Sequence, residues 1–342
     1  MDKTKFISKR SNSKDKLVLW ALAEYPALKD TELSRKIGIK RRTFSVIKTK
    51  LKHNGMFSNI IVPDFNALGC EVLTISYGSF NPAVTLKDMK RGLKKITECE
   101  DIVHLYSTER DFVIMSASRN LTDFRRNVGE VFSYCRENDF LGDDVTSVNF
   151  PLEISNYNYF EFSSFIKKEF DIDAESMEKA GKVNYKKRLT RKEKIVLYTL
   201  LKMPDVKNET ITAETGITTH TVGRIKKKLL QKGIIKMRKM PDLDVFGSEL
   251  LSFMHVKYNH NTIEEYDQGT DFFKVDSGSD SVSLNLFKNY TEFKDYYNSK
   301  FESLKRNDLI DENPSVILFP IQKLMHVKDF AFAPQMKKIL GV

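Results

Sequence analysis

The sequence predicts an α+β protein built as a tandem duplication: a winged helix-turn-helix followed by a ferredoxin-like βαββαβ unit, written twice, the second copy shortened. Three observations predict it. Residues 36–69 recur without a gap at 214–247, so that Gly38 matches Gly216, Ile47 matches Ile225, Leu51 matches Leu229, Gly55 matches Gly233 and Pro63-Asp64 matches Pro241-Asp242, always 178 residues on. The repeated stretch carries two short helical patterns around a glycine, the layout of a helix-turn-helix. Past Gly69 and Gly247 the apolar period changes from helical to alternating, and strands and helices follow in the order of the split βαβ unit.

In the first copy, residues 1–13 are polar and basic and read as a loose arm. Leu17, Leu19, Trp20, Leu22 and Ala23 give 14–25 a helical spacing, and Pro26 ends it by forcing the preceding residue out of helical dihedrals. Asp30 is expected to cap a second helix over 31–37, and Gly38 to make the turn. A third helix over 40–53 has Phe44, Ile47 and Leu51 inward and ends at Asn54-Gly55. Residues 56–62 read as a wing strand. Strands are predicted at 71–80, 102–108, 111–117 and 145–152, with helices at 85–96, capped by Thr85, and at 121–137. Tyr157, Tyr159, Phe160, Phe162, Phe165 and Phe170 crowd the next stretch, which reads as an aromatic docking segment running into a charged linker.

The second copy predicts helices at 189–203, 209–215 and 218–231, then strands at 250–258, 272–275, 282–287 and 315–320 and a helix at 291–305. Here Thr122-Asp123-Phe124 meets Thr291-Glu292-Phe293 at a spacing of 169. The nine residues lost fall on the first helix of the sheet unit, which is expected to be stunted around 262–267. The domains are therefore read as 1–63, 64–154, a segment 155–187, 188–243, 244–322 and a tail 323–342.

Charge points to a polyanionic partner. The chain has net charge +10, and residues 35–55 and 222–240 each hold eight Lys or Arg and no Asp or Glu. Lys40, Arg41, Arg42, Thr43, Ser45, Lys48 and Lys52 lie on the outer side of the first third helix. Thr218, Thr219, His220, Arg224, Lys227 and Lys228 lie on that of the second, and Arg238 adds charge to its wing. Such a helix fits a major groove, where cations neutralise phosphates and N-terminal side chains reach base edges. Double-stranded DNA is the expected partner. Cys70, Cys99 and Cys135 have no metal-binding spacing. No phosphate-binding loop or metal motif occurs, so no cofactor is expected. No apolar run is long enough for a membrane span or signal peptide, and a cytoplasmic protein is expected.

The helices GIKRRTFSVIKTKLKHNGMF and GITTHTVGRIKKKLLQKGII, the joints PDFNALG and PDLDVFG, and the element order resemble the Lrp/AsnC (feast/famine) transcription regulators, twice over. The resemblance implies sheet domains that pair, within the chain or as a homodimer, and two non-identical heads reading an asymmetric operator. The first copy has Thr108-Glu109-Arg110 where that family usually has a glycine turn, and only the second has Gly278, so no small-molecule effector is assigned. The expectation is a sequence-specific transcription regulator and not an enzyme. Alternatives are a replication initiator with tandem winged helices, a protein-docking module, and an Lrp-like siroheme decarboxylase using His104, Tyr106 and Arg110.

Overall fold

The computed structural model describes residues 13–142, 145–173, 188–259, 271–328 and 330–342. The expected arm, most of the linker and the stunted helix around 262–267 lie outside these residues. In chain order the elements begin with α1 (Ser13–Glu24), α2 (Asp30–Lys36), α3 (Arg41–His53), β1 (Phe57–Pro63), β2 (Val72–Ser79), α4 (Leu86–Glu98), β3 (Ile102–Ser107) and β4 (Asp111–Ser118). They continue with α5 (Leu121–Glu137), β5 (Thr146–Pro151), β6 (Asn156–Asn158), α6 (Ser163–Glu169), α7 (Arg191–Lys202), α8 (Asn208–Thr215), α9 (Thr219–Gln231) and β7 (Ile235–Pro241). The last are β8 (Leu250–Lys257), β9 (Asp271–Asp276), β10 (Asp280–Phe287), α10 (Tyr290–Arg306), β11 (Ser315–Pro320), β12 (Met325–Lys328) and α11 (Phe332–Leu340).

These elements gather into two compact units, and neither unit is a half of the sequence. One holds Met1–Ile60, Tyr157–Gly181 and Met237–Gln322; the other holds Ile61–Asn156, Lys182–Lys236 and Lys323–Val342. The first head thus belongs with the second sheet, and the second head with the first sheet.

In the first unit, α1, α2 and α3 bury Val18, Leu22, Leu33, Phe44, Ile47 and Leu51 between them. Asp30 does not cap α2 through its side chain. Lys29 is the N-cap, with Glu32 accepting from its N–H, and the Asp30 carboxylate instead receives Lys48 at 2.6 Å. The sheet of this unit runs β11-β8-β10-β9-β6. Its registers include Leu284 beside both Phe253 and Phe273.

The second unit repeats the plan. Its head uses α7–α9 with Leu197, Leu200, Ile211, Val222, Ile225 and Leu229 buried. Its sheet runs β12-β3-β4-β2-β5. One face is covered by α4 and α5, whose Met89, Leu93, Ile96, Phe124, Val128 and Phe132 form one core with Ile102, Leu105, Phe112 and Ile114.

Each sheet gains its fifth strand from a segment in which the sequence predicts no strand. Strand β6, from the aromatic stretch, pairs beside β9, and β12, from the tail, pairs beside β3. A Phe-x-Phe strap follows each. Phe160 and Phe330 both sit in left-handed backbone, at φ 56° and 42°, a costly conformation for a non-glycine residue. The next residue then anchors the strap, with Glu161 N donating to Phe272 O at 2.9 Å and Ala331 N to Val103 O at 2.8 Å. The helix after the strap returns to the head of its own unit, α6 against α1 and α11 against α7. Lys338 is paired with Asp101 at 3.0 Å, which fastens α11 to the first sheet unit.

The two expected wings are one ribbon: β1 and β7 pair with each other. Its ends are closed by Asp242 N to Met56 O at 3.1 Å in the first unit and by Asp64 N to Ile234 O at 2.9 Å in the second.

Candidate functional site

Most helices here follow the usual electrostatic rule. α1, α2, α4, α5, α7, α8 and α10 each place an acid in the first turn, where the helix dipole is positive. The two third helices do not follow it, nor do α6 and α11. α3 opens with Arg41 and Arg42 after the N-cap Lys40, and α9 opens with Thr219 and His220 after the N-cap Thr218; neither has an acid in its first turn. Cations at a helix N-terminus cost stability, roughly 0.3–1 kcal/mol each at an exposed site. An anion brought to that end would reverse the cost.

Lys40, Arg41, Arg42 and Lys52 are exposed on the first head, and Thr218, Thr219, His220, Arg224, Lys227 and Lys228 on the second. Thr43 and Ser45 are half-buried. The hydroxyls of Thr218 and Thr219 are engaged by Thr221 at 3.0 Å and Thr212 at 3.1 Å, so these residues shape the turn. Lys48 is held by Asp30. Lys228 is held by Glu193, and the equivalent Lys50 by Asp15 at 3.1 Å. Burial pushes the Glu193 carboxyl up, but Lys228 and the N–H and hydroxyl of Thr190 outweigh this and hold it below its ordinary value. The repeated lysine therefore ties each third helix to its first helix. Arg238 does not join the exposed set. Its side chain is 15% exposed and is paired with Glu161. The neighbouring Lys239 donates to Asn59 over the Phe57 ring, 5.7 Å from its centroid.

The enzymatic alternative rests on β3. His104 is only 2% exposed. Its ring meets Tyr106 edge-on at 4.2 Å and Phe330 face to face at 4.2 Å. Arg110 stands exposed in the following turn and does not converge with them. In the second sheet the corresponding residues are Phe273 and Val275.

Sequence reasoning missed two further groups. His255 is buried on β8 with Nε2 at 2.9 Å from Asp280 Oδ1; burial lowers its pKa more than Asp280 restores it. The second sheet also exchanges core for charge. Ile102, Leu105 and Ile114 of the first sheet become Asp271, Lys274 and Ser283, and all six stay buried. The Ser252 hydroxyl on the adjacent strand is buried with no hydrogen-bond partner among the described residues. Laying the two copies side by side at 169 would have exposed this exchange.

No protein-family profile matches the chain. No curated protein matches it either. Among solved structures, the siroheme decarboxylase NirDL is similar over 96% of this chain and 99% of its own, at 12% identity and a TM-score of 0.52. The same enzyme in complex with an iron-uroporphyrin III analogue gives a TM-score of 0.50 at the same identity and coverage. An AsnC family transcriptional regulator from Agrobacterium tumefaciens covers 41% of this chain and 89% of its own, at 16% identity and a TM-score of 0.35.

The expectation that this chain is not an enzyme is corrected by that end-to-end match, because the solved chain sharing its whole architecture is an enzyme. Basic third helices say nothing about the sheets, which can carry a reactive side chain independently of the heads. Among the described residues no helix is long and apolar enough to cross a membrane. The chain shares its fold, over nearly its whole length, with that solved structure.

Proposed function

We propose that the chain is a sequence-specific transcription regulator that binds duplex DNA by laying the third helices of its two heads in major grooves. The observation that carries this reading is the exposure of Arg41, Arg42, Arg224 and Lys227 on two helices whose first turns lack an acid. A major groove admits one α-helix, and cations on its rim release counterions from the phosphates. The heads differ in sequence, so the operator is asymmetric; a strictly palindromic footprint would count against it. The test is a salt titration of binding to duplexes selected from a random pool by the full chain. Affinity is expected to fall steeply, with a log–log slope of about −0.9 per phosphate contacted. The variant Arg41→Ala/Arg42→Ala/Arg224→Ala/Lys227→Ala should flatten it. A flat response in the unaltered protein sinks the reading.

A second reading is catalytic, and His104 favours it. A buried histidine beside Tyr106 in the first sheet, where the second sheet has Phe273, is the kind of asymmetry a reactive site introduces. The fold shared end to end with a siroheme decarboxylase supplies the substrate class by analogy. On this reading the chain removes a carboxyl group from a tetrapyrrole, with His104 exchanging the proton that replaces it. The Phe330 ring lies on the imidazole and has to move before a macrocycle can reach it. Incubation with siroheme decides the matter. Turnover that disappears in His104→Phe supports catalysis, and absence of turnover in the unaltered protein removes it.

A further inference from the structure

Among its exposed side chains each third helix carries one regular stripe. On α3 it is Arg42, Val46, Thr49 and His53, and on α9 it is His220, Arg224, Lys227 and Gln231, all exposed. The spacing i, i+4, i+7, i+11 keeps each stripe within about 60° of arc at 100° per residue. The stripes correspond position by position at 178. Their inner sides are held alike, by Phe44, Ile47 and Leu51 in one head and Val222, Ile225 and Leu229 in the other. Both are therefore presented by the same local frame, and what differs is the chemistry presented.

The sharpest difference is at the second place. Val46 is 61% exposed, one turn after Arg42, and the same place in α9 is Arg224. A valine there gains nothing from packing, and β-branching makes it a poorer helix former than alanine or lysine. A single exposed valine is ordinary on a protein surface, but on a helix face offered to a groove its methyl groups can meet an apolar partner. In a major groove that is the C5-methyl of thymine, the one apolar group the groove displays. An arginine at the same place has reach and fork geometry for the O6 and N7 acceptors of guanine.

We infer that Val46 and Arg224 are the residues that make the two half-sites different: Val46 reads a thymine methyl, and Arg224 reads a guanine at the equivalent base pair. This rests on the duplex-binding reading. The two half-sites then differ at that base pair, T in one and G in the other, whichever phosphates the flanking cations grip.

The experiment uses the full chain and a duplex selected from a random pool. Each thymine of the half-site bound by the first head is replaced in turn by uracil, which lacks only the methyl group. At one position the unaltered protein should lose about fourfold in affinity, the worth of one buried methyl group. Val46→Ala should bind thymine and uracil equally there, with a circular-dichroism melt matching the unaltered protein. Val46→Arg should move the preference at that position from T to G, and Arg224→Val the reverse in the other half-site. If the protein binds duplex but no uracil substitution matters, the assignment of Val46 is overturned while the duplex-binding reading stands. If a single methyl-sensitive position persists in Val46→Ala, another residue reads it and the assignment is likewise overturned. If no duplex is retained at any salt concentration, the underlying reading fails and takes this inference with it.

Discussion

The imidazole of His104 stacks on the ring of Phe330, centroids 4.2 Å apart and planes 9° from parallel, while Phe330 N donates to its Nδ1 at 3.3 Å. The tail segment is thus fixed to β3 through a residue in left-handed backbone. In the second sheet the same strap position is Phe160, and it rests on Phe273 with centroids 5.5 Å apart. The strap is a structural part of both copies, and histidine is the exceptional partner.

Substitutions at this contact should separate strap from histidine. Phe330→Ala should cost about 1–2 kcal/mol in urea unfolding, from a half-buried ring and its stack. Phe330→Gly should be no worse, because glycine accepts a positive φ without the penalty other residues bear. His104→Phe copies the second sheet and should cost about 1 kcal/mol, since Phe330 N loses its acceptor. A markedly larger loss would show that the imidazole holds more of the fold than this contact.

Lys228 and Arg41 should behave as opposites. Lys228→Met strands the Glu193 carboxylate, whose side chain is 7% exposed, and should cost about 1–2 kcal/mol, below a fully buried pair because the lysine is half in water. Glu193 has its pKa lowered in the fold, so its contribution is present above the ordinary carboxylate range and fades as pH falls through the folded value. The salt slope of duplex binding should be unchanged in Lys228→Met. Arg41→Ala should leave stability within about 0.5 kcal/mol and reduce the salt slope by about 1. Urea melts and fluorescence-anisotropy titrations read the two effects.

His255 gives the acid side of the stability curve its shape. Burial holds its pKa below the ordinary histidine value despite Asp280, so the fold prefers the neutral ring. The unfolded chain takes up the proton first as pH falls below about 6.5. Stability should therefore decline from neutral pH into the range between the ordinary and the folded value. In His255→Gln that part of the decline should be absent. Urea midpoints across the same pH series, compared between the two proteins, check it.

The charged core of the second sheet should be cooperative. Lys274→Leu restores the first-copy residue but removes the one cation of β9 and leaves Asp271 and Asp276 buried, and should destabilise by about 1–3 kcal/mol. Changing all three to their first-copy counterparts, Asp271→Ile, Lys274→Leu and Asp276→Ser, should recover most of that loss, since an apolar replacement of a buried charged group is often neutral. Additive losses in thermal melts would mean the three side chains act separately.

The repeat at 178, with Gly38, Gly55, Gly216 and Gly233 at its turns, was enough to write down both heads. Alternating runs such as 111–117 are enough for the strands, because period and turn chemistry are local properties of a chain. The outer faces of α3 and α9 are legible for the same reason, with Val46 lying off the inner stripe of Phe44, Ile47 and Leu51. Pairing partners were not legible. β6 is three residues long and β12 four, too short to show a period, and each joins a sheet far from it in sequence. The ion pairs that take Lys48, Lys228 and Arg238 out of the free surface depend on Asp30, Glu193 and Glu161, which no spacing rule links to them. Helix and strand in the repeated segments follow from neighbours along the chain and are therefore written in the sequence. Which head belongs with which sheet, and which cations stay in water, depends on contacts between residues as much as 237 positions apart, and so appears only in the folded chain.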